Sequence, residues 1–170
     1  MFRSLGATDI EFLALDEERQ SDAELEGFDT VYLSGGDPVI FRQHLRRTGM
    51  AERLRTFIAT GRLVMGASGG AMQLGANVSV FRLLSESVDD IVANAATFDG
   101  LHSVDFGFLP HLNRHGEAFL EKVRKYSESV HHDIVAVNDG AAVAVSSGNV
   151  TCLGRGIRWS RGIKRPMGDL

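Results

Sequence analysis

The sequence predicts an α/β fold with a mostly parallel sheet and an antiparallel edge toward its C-terminus. Three observations carry that expectation. In the first two thirds, short apolar or β-branched runs alternate with segments of helical periodicity, the pattern of strands joined by crossover helices. Two glycine-rich turns, Ser34-Gly35-Gly36-Asp37 and Gly66-Ala67-Ser68-Gly69-Gly70, each directly follow such a run. In a parallel sheet both would lie on the carboxyl edge, where ligands bind. After residue 132 the helical periodicity stops, and short strand-like runs are separated by Asn138-Asp139-Gly140 and Ser146-Ser147-Gly148-Asn149, which contain hairpin-turn residues.

Taken in order, Ile10 to Leu15 reads as a strand and Ser21 to Gly27 as a short helix with a serine cap and a glycine stop. Asp29 to Leu33 is a β-branched and aromatic strand. Asp37 is a good N-cap and Pro38 suits the first helical position, so a helix runs from there to Gly49. A second helix spans Ala51 to Thr60, with Leu54, Phe57 and Ile58 at helical spacing. Leu63 to Met65 has buried-strand character. Val78 to Leu84 fits either a strand or an apolar loop, and Ser85 to Asp90 is an acidic stretch that can open a short helix. Phe106 to Leu109 is an apolar segment running into Pro110-His111. Glu117 to Val130 is an amphipathic helix with Phe119, Leu120, Val123 and Tyr126 facing inward. Strands are expected at Asp133–Val137, Ala141–Val145 and Val150–Leu153, with Ile157–Ser160 as an edge strand and Lys164-Arg165-Pro166 as a polar tail. No linker or repeat divides the chain, so residues 1–170 are expected to form one domain.

Bulk properties exclude several function classes. The chain has 170 residues, 44% hydrophobic and 24% charged, which suits a globular domain with a real core. A formal net charge of −4 gives no electrostatic case for nucleic acid, and no apolar run reaches membrane-spanning length. Cys152 is the only cysteine, so no intrachain disulfide is expected, and neither a signal peptide nor a membrane anchor is read; a cytoplasmic protein is the expectation. The six histidines include no H-E-x-x-H and no cluster of zinc-ligand spacing, so no metal or other cofactor is expected.

The stretch Leu63 to Met72 reads strand, sharp turn, helix start, with Gly66-x-Ser68-x-Gly70 at its centre. That is the nucleophile-elbow pattern: the serine sits at the tip of a strained turn, and neighbours without side chains let strand and helix approach. A serine hydroxyl needs a base, usually histidine, oriented by a carboxylate. His111, at the end of an apolar segment and after Pro110, is the best base candidate. The residues alone leave Glu86, Asp89, Asp90, Asp99, Asp105 and Asp139 open as the carboxylate. Backbone N–H groups of Gly69 and Gly36 could form an oxyanion hole.

Together, Tyr32-Leu33-Ser34-Gly35-Gly36-Asp37, Gly66-Ala67-Ser68-Gly69-Gly70-Ala71, Phe108-Leu109-Pro110-His111 and Asn138-Asp139-Gly140-Ala141-Ala142 resemble the S51 serine peptidases, the group of peptidase E (the aspartyl dipeptidase) and cyanophycinase. The resemblance runs from about Phe2 to about Gly162. It implies a flavodoxin-like, class I glutamine amidotransferase-like three-layer sandwich and a serine hydrolase cleaving short peptides, among them aspartyl dipeptides. It implies Ser68 as nucleophile, His111 as base, Gly36 and Gly69 as oxyanion donors, and an acid between serine and histidine, for which Glu86 is the choice and Asp89 the reserve. Asp37 stands where many members carry asparagine, which puts a carboxylate near the cleft. Arg114 and Arg124 are the candidates to receive a substrate carboxylate. The family usually opens with a further strand and helix before the segment matching Phe2 to Gly6. With that unit missing, the expectation is either a truncated or mis-started product or a sheet one strand short, and a missing central strand would expose apolar surface that destabilises the fold or drives association into a homodimer. Two rivals remain: an esterase or amidase using the same constellation, and a non-catalytic binding or regulatory protein on an amidotransferase-like scaffold.

Overall fold

The protein was analysed as a computed structural model, which describes residues 2–14 and 25–168. Two bodies of sheet hold the site. In the first, β1 (Thr30–Leu33) and β2 (Leu63–Gly66) pair in parallel, with Leu33 opposite Gly66. In the second, β3 (Phe106–Leu109) and β4 (Asp133–Val137) pair in parallel, with Leu109 opposite Ala136, and two antiparallel strands, β7 (Gly156–Ser160) and β8 (Ile163–Met167), extend the sheet. A separate hairpin, β5 (Ala142–Ser146) with β6 (Asn149–Leu153), falls between β4 and β7 in the chain.

The helices follow the local rules. Asp37 caps α1 (Pro38–Arg47) by accepting from the N–H groups of Val39 and Ile40 at 2.8 and 3.0 Å, with Pro38 at the first turn. Such a cap stabilises a helix by about 1 kcal/mol. α2 (Met50–Ala59) packs Met50, Ala51 and Leu54 with Leu45 and Leu33 into one core. A second core gathers Met72 of α3 (Gly69–Leu74), Ile91 of α4 (Val88–Ala93), Val123 and Tyr126 of α5 (Glu117–Ser129), and Ile134, Ala136 and Trp159 of the larger sheet. Burying each of the large apolar side chains stabilises the fold by roughly 1.5–3 kcal/mol. The buried Tyr126 hydroxyl meets Ser79 Oγ at 2.7 Å, so this core carries a satisfied polar pair.

Four expectations change. Residues 10–14 form no strand; Phe12 is 88% exposed and the segment joins no ladder among the described residues, while Leu15 and most of the helix expected at 21–27 lie outside them. Residues 79–84 form a 3-10 helix that buries Val80 and Leu83, whose spacing of three matches its three-residue turn. Ile157–Ser160 belongs to an interior strand, because the expected polar tail is itself β8. β8 is the sheet's edge, mostly exposed, where lysine, arginine and Pro166 are tolerated.

Candidate active site

Parallel pairing sets the site's position. With Leu33 opposite Gly66, Gly35 and Ser68 leave their strands side by side; with Leu109 opposite Ala136, His111 and Asp139 do the same. Ser68 has φ 49° and ψ −118°, a conformation costly for a residue with a side chain, and it hands directly into α3. The turn is so tight that a Cβ on Gly70 would stand 2.3 Å from the carbonyl oxygens of Leu33 and Ser34. A Cβ on Gly69 would stand 2.0 Å from the carbonyl oxygen of Gly36, so the two glycine turns are in direct contact. His111 is also left-handed, at φ 60° and ψ 34°.

These backbones bring the side chains into a chain of hydrogen bonds. Ser68 Oγ lies 2.9 Å from His111 Nε2, and His111 Nδ1 lies 2.6 Å from Asp139 Oδ1. An ionised carboxylate can only accept, so Nδ1 carries the proton and Nε2 is left to accept from the serine hydroxyl. Asp139 Oδ2 accepts from Arg114 Nε at 2.6 Å and from Asn113 Nδ2 at 3.1 Å, and the Asp139 N–H donates to Asn113 Oδ1 at 2.7 Å. The hydrogen bond from His111, then that from Arg114, hold the Asp139 carboxyl well below the usual carboxylate range.

The expected acid therefore changes. Glu86 does not meet His111. It is locked onto Arg82, with Nε to Oε1 at 2.6 Å and Nη2 to Oε2 closing a two-bond fork, four residues apart in sequence. Asp89 lies exposed in the first turn of α4. The carboxylate behind His111 is Asp139, which arrives from the turn after β4. Two further expectations change as well. Asp37 is exposed and its Oδ1 is spent on capping α1. Arg114 reaches Asp139, on the side away from Ser68, and Arg124 is engaged by Glu121 and Glu128 on the surface of α5.

Sequence reasoning passed over two residues that hold these parts. Gln73 is fully buried and its Nε2 donates to the carbonyls of Pro38 at 2.9 Å and Gly69 at 3.1 Å, tying the elbow helix to the start of α1. Asn113, two residues after the histidine, grips Asp139 by its carboxylate and its backbone. Among the described residues, no group of three or more histidine, cysteine, aspartate or glutamate side chains is placed to hold a metal ion, and no helix is long and apolar enough to cross a membrane.

Fold and site together define an α/β protein of the nucleophile-elbow type. Comparison with known proteins narrows the class. Residues 1–153 match the family described as peptidase family S51, and the chain belongs to that family. It is 30% identical over 101 residues to an uncharacterized peptidase of Listeria monocytogenes, covering 59% of this chain and 48% of the relative. An uncharacterized peptidase of Pasteurella multocida is 32% identical over 95 residues, covering 56% and 44%. The chain spans about half the length of these curated relatives. A crystal structure of a candidate peptidase E from Listeria monocytogenes superimposes with a TM-score of 0.70 at 28% identity, covering 88% of this chain and 72% of that one. The fold is accordingly that of a peptidase E, the flavodoxin-like and amidotransferase-like α/β arrangement.

Proposed function

We propose that this chain is a serine peptidase that cleaves short peptides through Ser68, His111 and Asp139. The observation that carries the reading is the unbroken line from Ser68 Oγ through the His111 ring to Asp139 Oδ1, at 2.9 and 2.6 Å. Ser68 Oγ attacks the scissile carbonyl while its proton passes to His111 Nε2. The oxyanion is received by the N–H groups of Gly69, at the start of α3, and of Gly36. His111 then gives the proton to the leaving amine, the C–N bond breaks, and an ester to Ser68 remains. Water, deprotonated by His111, attacks that ester; the acid product leaves and the serine regains its proton. Asp139 keeps the imidazole in the tautomer that accepts from serine and stabilises the imidazolium when it forms. Nothing in this sequence of steps calls on a cofactor.

Aspartyl dipeptides, the substrates the resemblance brought forward, draw no support from the surroundings of Ser68, since Arg114 and Arg124 are engaged elsewhere. A fluorophosphonate probe tests the nucleophile. The intact protein should label at one serine, with labelling abolished in Ser68→Ala and in His111→Ala reduced by at least about 100-fold. Equal labelling of Ser68→Ala and the unaltered protein would overturn the proposal.

A further inference from the structure

Resting on the reading of Ser68 as the nucleophile, we infer that the acyl side of the substrate carries a small uncharged aliphatic side chain, received by the cavity beside Ser68. The cavity holds about 60 Å³, several times the roughly 10–15 Å³ that a single water requires. Ser68 and Gly69 form one wall, and Met72, Phe81, Leu84, Leu109 and Phe119 supply apolar side chains to the rest. An acyl group is bonded to Ser68 Oγ through half of the catalytic cycle, so a recess walled by Ser68 and Gly69 takes the substituent of the acyl part.

The chemistry of the walls selects what enters. None of the lining residues carries a fixed charge. The titratable ones are His111, already placed in the hydrogen-bonded line, and His115. Burial pushes the His115 imidazole below its usual range, its Nε2 donates toward the Pro110 carbonyl at 3.3 Å, and its ring stacks on Phe119 with centroids 4.3 Å apart. It therefore meets a substrate as a neutral, ring-covered group. A carboxylate in this recess would lose its hydration and find no counter-charge. No arginine lines it, and Arg82, Arg114 and Arg124 are held by Glu86, by Asp139, and by Glu121 with Glu128. An aliphatic side chain meets mostly apolar surface there.

The test uses 7-amino-4-methylcoumarin amides of alanine, valine, leucine and aspartate, which share one leaving group, on the full chain, with fluorophosphonate labelling of Ser68 as a parallel control. The expected result is kcat/KM at least about 100-fold higher for the best aliphatic amide than for the aspartyl amide. Phe119→Ala should shift the optimum toward a longer side chain by about 10-fold. Leu84, 54% exposed at the mouth, provides a second variant, Leu84→Ala, that leaves the core untouched and should shift the ranking in the same direction. If a protein whose Ser68 labels normally turns over the aspartyl amide as well as the aliphatic ones, or if neither variant changes the ranking, the inference is overturned. Absence of Ser68 labelling overturns the nucleophile reading itself, and this inference with it.

Discussion

Two turns of this molecule each hold a carboxylate against an arginine, and they are built to opposite ends. Around Glu86, both carboxylate oxygens go to one guanidinium, Arg82, four residues earlier, and Arg82 in turn covers the Phe98 ring at 4.2 Å. The pair is closed on itself. Around Asp139, the two oxygens are divided. One faces a ring nitrogen of His111, while the other takes Arg114 and Asn113. The fixed donors orient the carboxylate and leave one oxygen for a group that can move a proton. The difference teaches that a carboxylate beside an arginine becomes useful when its oxygens are shared between a structural partner and a titratable one.

The sharpest way to break this comparison is to neutralise both acids without changing their shape. Asp139→Asn should leave the fold intact but offer an amide to His111, favouring the tautomer that cannot accept from Ser68. The expected loss in kcat is on the order of 10⁴-fold, by analogy with triads in which the same change has been made. Glu86→Gln removes one side of a partly exposed, locally closed pair, and kcat should stay within about 3-fold of the unaltered protein. Steady-state kinetics on one peptide substrate for both variants decides the matter. Comparable losses in the two would mean that the division of oxygens carries no functional weight.

Much of this architecture was legible in the sequence because it follows from local rules. Asp37-Pro38 reads as a helix start because capping and a fixed proline φ act within one turn. Gly66-x-Ser68-x-Gly70 reads as an elbow because a Cβ on Gly66 would meet the backbone of Gly70 and Ala71 just ahead of it, although the clash at Gly70 comes from Leu33 and Ser34 at the end of β1. The acid was not legible in the same way. Asp139 stands 28 residues after His111, in a segment whose Asn-Asp-Gly composition is ordinary for a turn, and only the parallel pairing of β3 with β4 brings the two loops together. Glu86 was attractive by its position between serine and histidine, but an arginine at i−4 already claimed it. Gln73 was hidden for a related reason: a glutamine at a helical core position says nothing about which distant carbonyl it will meet. β8 escaped notice because edge strands need not alternate apolar and polar residues.

A smaller effect sharpens the account of the donors around Asp139. Asn113→Ala removes the hydrogen bond to Oδ2 and the acceptor of the Asp139 N–H together. The carboxylate keeps its charge and Arg114, but its orientation toward His111 loosens, and a misplacement of a fraction of an ångström should lower kcat by about 10-fold. KM should change little, because Asn113 is not among the residues lining the cavity beside Ser68. A loss confined to KM would assign Asn113 to substrate binding and break its place in the Asp139 cluster.

The smallest effect expected is that of Arg114→Gln, and its signature lies in pH. Arg114 is 65% exposed on its side chain, so salt and water screen its hold on Asp139. With His111 still donating, kcat at pH 7 should fall by roughly 3-fold at most, as expected for an exposed pair. The Asp139 carboxyl is depressed in the folded protein, first by His111 and second by Arg114. A depressed carboxyl stabilises the fold above its unfolded pKa of about 3.9, and that contribution disappears as pH falls through the lower folded value. Removing Arg114 shrinks the depression, so the variant should melt below the unaltered protein at pH 7, and the gap should narrow as pH falls below 4 and the carboxylate protonates in both. The same depression keeps Asp139 ionised throughout mildly acidic solution. The carboxyl of Asp139 should then contribute nothing to any change of kcat/KM between pH 7 and about pH 5, and the profiles of the two proteins should take the same shape there. Melting curves and kcat/KM profiles measured on the two proteins across this range test both halves. A melting gap that widens toward acid would mean that Arg114 acts on some group other than Asp139.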